Sequence, residues 1–314
     1  MSMFLAAAAL ALSVADPGAA TSVEVEAPGP NGALRGTMLS PAQAGAPLVV
    51  IIPGSGPTDR DGNNPMGVSA ATYRLLAEAL AVQGVASIRV DKRGMFGSAA
   101  AGDPRQATIA GYASDMRSWV STLRARTGAS CVWLLGHSEG ALVALMARAD
   151  EGVCGLILVA GAGRPLGQAM REQLRANPAN APILDQALAA IDRIEARQPV
   201  DVATLHPALH PLFGPQVQPY LMDLLSHDPA AMLRGYEKPV LILHGARDIQ
   251  VADADARALA AANPAARLVI LPGVNHVLKQ VASDDRAANL ATYSNPNLPL
   301  ADGVAEAIAG FVRR

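Results

Sequence analysis

Residues 134–145, LLGHSEGALVAL, carry an apolar run into a Gly-His-Ser-Glu-Gly turn and out again into helical spacing. Ser138 stands between Gly136 and Gly140, and how it is read decides the fold. It is either an exposed nucleophile on a strand–helix turn or a serine that merely caps the following helix. The pentapeptide alone decides little. With 28 glycines in 314 residues, the pattern arises by chance in about one such chain in eight. Its surroundings favour the nucleophile. Glycines lacking Cβ let a strand turn sharply against a helix, and the helix N-terminus offers free N–H groups to a developing negative charge.

Outward from this turn, strand-like and helix-like runs alternate. TSVEVEAPGPNGALRGTMLSP (21–41) reads as two short alternating strands around Pro-Asn-Gly, a hairpin signal. APLVVIIPGSG is a continuous apolar run ending in glycines, the pattern of a strand buried on both faces. Helical spacing follows over 70–83, then the strand VASIRVDKRG, then an amphipathic helix over 109–126. CVWLLGHSEG, GLILVAGAG, KPVLILHGARD and ARLVILPGVNH supply further strands, with helices after Ser138, over 253–262 and over 302–313. This alternation predicts an α/β fold with a mostly parallel central sheet and helices on both faces. Residues 164–237 hold no strand-like run, and HPALHPLFGPQVQPY within them is broken by prolines. They are read as a helical lid over the crevice at the carboxyl ends of the strands, inserted between core segments 21–163 and 238–314. A structural addition on the sheet edge is the alternative.

A serine hydroxyl needs a base within hydrogen-bond reach. Of six histidines, His137 adjoins the serine and points elsewhere, His206, His210 and His227 lie in the insertion, and His244 ends a strand. His276, in LPGVNHVL, stands just past the final strand at the same sheet edge and is the expected base. Asp248, in LILHGARDIQV, lies past the preceding strand and is the expected carboxylate. Asp253 and Asp255 belong to the next helix, and Asp284 and Asp285 follow the histidine. The order Ser138, Asp248, His276 suits a nucleophile on a strand–helix elbow in an open sheet.

GHSEG, GARDIQV and GVNHVL together resemble the α/β-hydrolase superfamily. PGSGPTDRDGN (53–63) is similar to esterase-like members related to bacterial carboxylesterases and serine aminopeptidases. The resemblance implies the α/β-hydrolase fold and a serine hydrolase, with an oxyanion hole made by the backbone N–H groups of Ser55 and Glu139 and with Gly56 as a neighbouring donor. DKRGMFGS (91–98) resembles the D-x-R-G-x-G turn of that superfamily, with its second glycine, Gly97, one place late. Arg60, beside the oxyanion loop, has three readings: it pairs with a carboxylate to order the loop, it meets an anionic substrate group, or it belongs to a solvated turn. The expected substrate is a small-molecule carboxylic ester of small or medium acyl chain. Amide cleavage, as in an aminopeptidase, and acyl transfer are the alternatives.

Half of the residues are hydrophobic and the formal charge is −2, which excludes electrostatic capture of nucleic acid. The apolar run from Phe4 to Val14 is too short to span a bilayer, so no stable membrane insertion is expected. Residues 1–20 read as a signal peptide and imply export. Without a preceding Lys or Arg, a loose N-terminal helix on a cytoplasmic protein is the alternative. Cys131 and Cys154 open neighbouring apolar runs, so they are candidates for a disulfide, with two buried reduced thiols as the simpler expectation. TDRDGNN fails the spacing of a calcium loop, and Pro207 and Pro211 break the helix that would align His206 with His210 on a metal. No metal and no organic cofactor are expected.

Overall fold

The computed structural model describes residues 20–313; all but the last residue of the segment read as a signal peptide lies outside them. Two strands, β1 (Thr21–Pro28) and β2 (Ala33–Ser40), pair antiparallel across the Pro30-Asn31-Gly32 turn. Val25 and Ala27 face the core while Glu24 and Glu26 face solvent, the period of two expected where one face is wet. The remaining strands are β3 (Leu48–Ile52), β4 (Ala86–Val90), β5 (Val132–His137), β6 (Val153–Val159), β7 (Val240–Gly245) and β8 (Arg267–Leu271). They lie in the order β1-β2-β4-β3-β5-β6-β7-β8, with β4 through β8 parallel and β2 antiparallel to β4.

This order reverses direction at β3. The chain steps from β3 to β4 on one side and later returns to place β5 on the other. A switch point of this kind leaves a crevice beyond the carboxyl ends of β3 and β5. The PGSG loop leaves β3 there and the GHSEG turn leaves β5 there, so topology alone puts both at one crevice.

Continuous apolar runs build β3, β5 and β6 because successive side chains feed two separate cores. Val50, Ile52, Leu134 and Leu156 face one side, packed with the helices Ile109–Thr127 and Glu139–Ala147. Val49, Ile51, Leu135 and Ile157 face the other, against Thr72–Val82 and Val304–Val312. The edge strand β8 is only half-buried, since it has one neighbour.

Between β6 and β7 the described residues contain helices and no strand. The longest are Leu166–Ala176, Leu184–Glu195 and Gln218–Leu224. Ile191, Ile194, Phe213 and Leu221 give this segment a small core of its own. The prolines expected to break HPALHPLFGPQVQPY instead begin its short helices: Pro207, Pro211 and Pro219 all fall in first turns. An N–H at that position has no helical acceptor, so its loss costs nothing, and the fixed φ suits the helix.

Cys131 and Cys154 are joined in a disulfide across the start of β5 and β6, so the simpler expectation of two free thiols does not hold. The register slips between Val132 and Trp133, and this irregularity brings the cysteine preceding β5 beside the second residue of β6. Closing a span of 23 residues restricts the unfolded chain by about 3 kcal/mol. Reduction, or the double change Cys131→Ala/Cys154→Ala, is expected to lower the unfolding temperature by roughly 5 °C. Calorimetry with and without reductant measures it, and an unchanged transition would remove the disulfide from the account of stability.

Candidate active site

Ser138 is held at φ 56° and ψ −121°, a conformation that costs a non-glycine residue energy and persists only when the surroundings enforce it. The enforcement is visible on both sides. The Ser138 N–H donates to the Val159 carbonyl at 2.9 Å, and the Ser138 carbonyl accepts from Ala141 N–H at 3.0 Å. A Cβ on Gly136 would overlap the Gly140 carbonyl, and one on Gly140 would overlap the Ile52 carbonyl, so helix and strands approach at backbone distance. The hydroxyl makes no capping bond to the helix it precedes. That disposes of the helix-cap reading.

His276 and Asp248 come together at the same rim. His276 Nδ1 lies 2.7 Å from Asp248 Oδ2. The other oxygen, Oδ1, accepts the N–H groups of Gln250 at 2.8 Å and Val251 at 2.9 Å. Burial alone would push the Asp248 carboxyl up; the His276 charge and hydrogen bond, with the two backbone donors, hold it below the usual carboxylate range. The rival carboxylates are engaged elsewhere. Asp253 pairs with Arg257, Asp255 with Arg164, Asp284 with Arg247, and Asp285 caps the helix Arg286–Ala291. Ser138 and His276 line one small cavity, about 140 Å³, and the serine hydroxyl has no hydrogen-bond partner among the described residues. The Asp248–His276 contact is made, and no Ser138–His276 hydrogen bond is present among the described residues.

A second chain of hydrogen bonds runs beneath the site. Gly54 N–H donates to the Tyr73 hydroxyl at 2.9 Å, and Tyr73 lies 2.9 Å from His137 Nδ1. His137 Nε2 lies 2.8 Å from the His276 carbonyl oxygen, which only accepts. The partners therefore assign the proton to Nε2 and make Nδ1 the acceptor of the Tyr73 hydroxyl. Burial, aided by the His276 charge, lowers the His137 pKa to about 3, so the ring stays neutral at physiological pH. This ring is the one expected to point elsewhere. It does turn from the serine hydroxyl, but toward the backbone that carries His276, tying that loop to the loop after β3.

Two further side chains hold the loop after β3. Lys92 Nζ donates to the Gly54 carbonyl at 2.7 Å. Arg60 donates to Asp91 through its backbone N–H at 2.9 Å and its Nε at 2.8 Å, and its guanidinium also meets Thr37 and Glu24. Of the three readings of Arg60, the loop-ordering pair has this geometry, and Arg60 lines none of the cavities at Ser138. Gly97 is late in its motif for a related reason. Phe96 occupies the expected glycine position at φ 45°, and a Cβ on Gly97 would overlap the Arg60 guanidinium. Ser55, Gly56 and Glu139 line the cavity beside Ser138, and their backbone N–H groups have no protein acceptor among the described residues.

A family model described as the alpha/beta hydrolase family matches residues 49–291. The chain belongs to the alpha/beta hydrolase family. Esterase EstD of Thermotoga maritima is 29% identical over 231 residues, 71% of this chain and 52% of EstD, so the chain spans about half the length of that relative. Among solved structures, Est1E of Butyrivibrio proteoclasticus is similar with a TM-score of 0.56 at 16% identity, over 93% of this chain and 99% of Est1E. A Pyrococcus furiosus esterase, Pf2001, has a TM-score of 0.55 at 16% identity, over 94% of this chain and 93% of its own. Identities this low speak to the fold.

In this alpha/beta hydrolase an apolar cavity of about 640 Å³ lies beside Ser138, lined by Glu139 and Leu142 from the core and by Leu166, Met170, Leu221 and Leu224 from the inserted helices. His276 lines the smaller cavity and not the 640 Å³ space. A further opening of about 680 Å³, bordered by Asn177, Ile249 and Arg286, connects Ser138 outward between insertion and core.

Proposed function

We propose that this alpha/beta hydrolase is a serine esterase that cleaves carboxylic esters of small or medium acyl chain through an acyl-enzyme. The observation that carries the reading is the 2.7 Å His276–Asp248 contact at the rim where Ser138 is held in a strained turn. His276 Nε2 takes the serine proton as Oγ attacks the carbonyl carbon. The oxyanion is held by Glu139 N–H and by Ser55 or Gly56 N–H, a reading supported by their lacking protein acceptors beside Ser138. The imidazolium then protonates the leaving alkoxide, and water, activated by the same ring, releases the acid. Because the leaving group must lie on the His276 side, the acyl chain points into the 640 Å³ apolar cavity.

Residues 164–237 act in this proposal as a lid, supported by the four insertion side chains named above that wall the acyl cavity. Export is proposed on two grounds, the apolar run at residues 4–14 and a disulfide, which persists in oxidising compartments. Amide cleavage is the competing activity. A panel of p-nitrophenyl esters of graded length, beside aminoacyl anilides and a fluorophosphonate probe, separates the two. The expected result is turnover of short and medium esters, none of the anilides, and stoichiometric probe on Ser138. Anilides cleaved faster than esters, or probe on another residue, would overturn the reading.

A further inference from the structure

The acyl cavity is apolar except at a few points, and one of them is unusual. The Glu139 side chain is only 5% exposed, lines the cavity, and neither carboxylate oxygen has a hydrogen-bond partner. Its nearest cation, the buried Lys92 ammonium, stands off at 3.8 Å and donates to the Gly54 carbonyl instead. A carboxylate kept only as a counter-ion would close that gap, because a charge-assisted hydrogen bond is worth about twice a neutral one. Tyr220, on the same cavity wall, sits beside Glu139: burial, the Glu139 charge and its side-chain contact with that carboxylate all raise the phenol pKa, without a hydrogen bond of good geometry between them. His227 lines the cavity as well; its Nε2 is buried without a hydrogen bond, 3.6 Å from Asp223 Oδ1. Buried carboxylates without a hydrogen bond are rare because each carries a desolvation cost, and here both Glu139 oxygens lack one in a residue that lines the cavity.

We propose that Glu139, with Tyr220 and His227, forms a polar subsite in the acyl cavity that selects short acyl groups bearing a hydroxyl near the ester carbonyl. The proposal rests on the esterase reading above. Lys92 settles the chemistry of the donor. It already balances the Glu139 charge and would repel an ammonium, so the group recognised is neutral: a hydroxyl that donates to the carboxylate and accepts from Tyr220 or His227. Position follows from Glu139 itself. Its N–H is the proposed oxyanion donor, and a glutamate side chain reaches only roughly 5 Å from its own nitrogen. The hydroxyl therefore belongs on the second or third carbon of the acyl chain.

The test compares methyl butyrate with racemic methyl 2-hydroxybutyrate and methyl 3-hydroxybutyrate in a pH-indicator assay, each rate normalised to hydroxide hydrolysis of the same ester. For wild type, kcat/KM for one hydroxy ester is expected to exceed that for butyrate by about tenfold or more. In the double variant Glu139→Leu/Lys92→Met, which strands no buried charge, the ratio falls to within about twofold of unity. Tyr220→Phe lowers it in part. Turnover of methyl butyrate with a wild-type ratio at or below one overturns the subsite and leaves the esterase reading standing. No turnover of methyl butyrate, the hydroxy esters or p-nitrophenyl butyrate overturns both.

Discussion

Ser138→Ala is expected to lower kcat on p-nitrophenyl butyrate by about 10⁴-fold or more, the loss typical of removing a nucleophile that acts as one unit with its base. Stability should stay where it is. The hydroxyl makes no capping bond to the helix it precedes, and alanine at φ 56° carries the same backbone strain as serine, so the substitution removes no capping bond and adds no strain. The three N–H groups proposed for the oxyanion are also untouched, which leaves a residual rate above that of water. Substrate affinity should change little, because the acyl cavity is walled by other side chains. Three measurements check this: single-turnover kinetics, fluorophosphonate stoichiometry falling to zero, and a thermal transition within a degree or two of wild type. Retention of more than about one percent of wild-type kcat would exceed the residual that the remaining groups support and would remove Ser138 from the nucleophile's role.

What the sequence made legible is what is encoded locally. A strand buried on both faces needs an unbroken apolar run, so β3, β5, β6 and β7 stand out as LVVII, VWLLGH, VCGLILV and VLILHG. The turn at Ser138 needs glycines at fixed places, because backbone meets backbone there. The meeting of Asp248 with His276 is legible from their positions past the last two strands, since parallel strands all deliver their carboxyl ends to one rim. The Tyr73–His137–His276 chain has no such mark. It joins residues 64 and 139 positions apart, and nothing near Tyr73 distinguishes it from any other buried tyrosine on a helix. Lys92 was hidden in the same way, inside a motif read as architectural. The disulfide turned on one irregular step between Val132 and Trp133, which depends on strand register and not on the spacing of the cysteines. The insertion's prolines misled because a helix breaker and a helix starter are the same residue one turn apart.

Asp248→Asn should cost on the order of 10³- to 10⁴-fold in kcat while leaving the fold intact. The direction follows from the partners of each carboxylate oxygen. Oδ1 faces two backbone donors, Gln250 N–H and Val251 N–H, which an amide NH₂ cannot satisfy. The substituted amide must therefore give its oxygen to the backbone and turn its NH₂ toward His276 Nδ1. That nitrogen then becomes an acceptor, and the ring proton moves to Nε2, the position that must receive the serine proton. The base is present but holds its proton at the wrong end. The variant also loses the charge that stabilises the imidazolium. Acidification gives an independent check. The folded-state pKa of Asp248 is depressed, so its ionised form contributes stability above the unfolded carboxylate pKa and loses it as pH falls through the folded value. The stability difference between wild type and Asp248→Asn should therefore be full near neutrality and shrink toward zero in acid. A difference that persists unchanged at low pH, or a variant with kcat within tenfold of wild type, would show that Asp248 does not set the tautomer of His276.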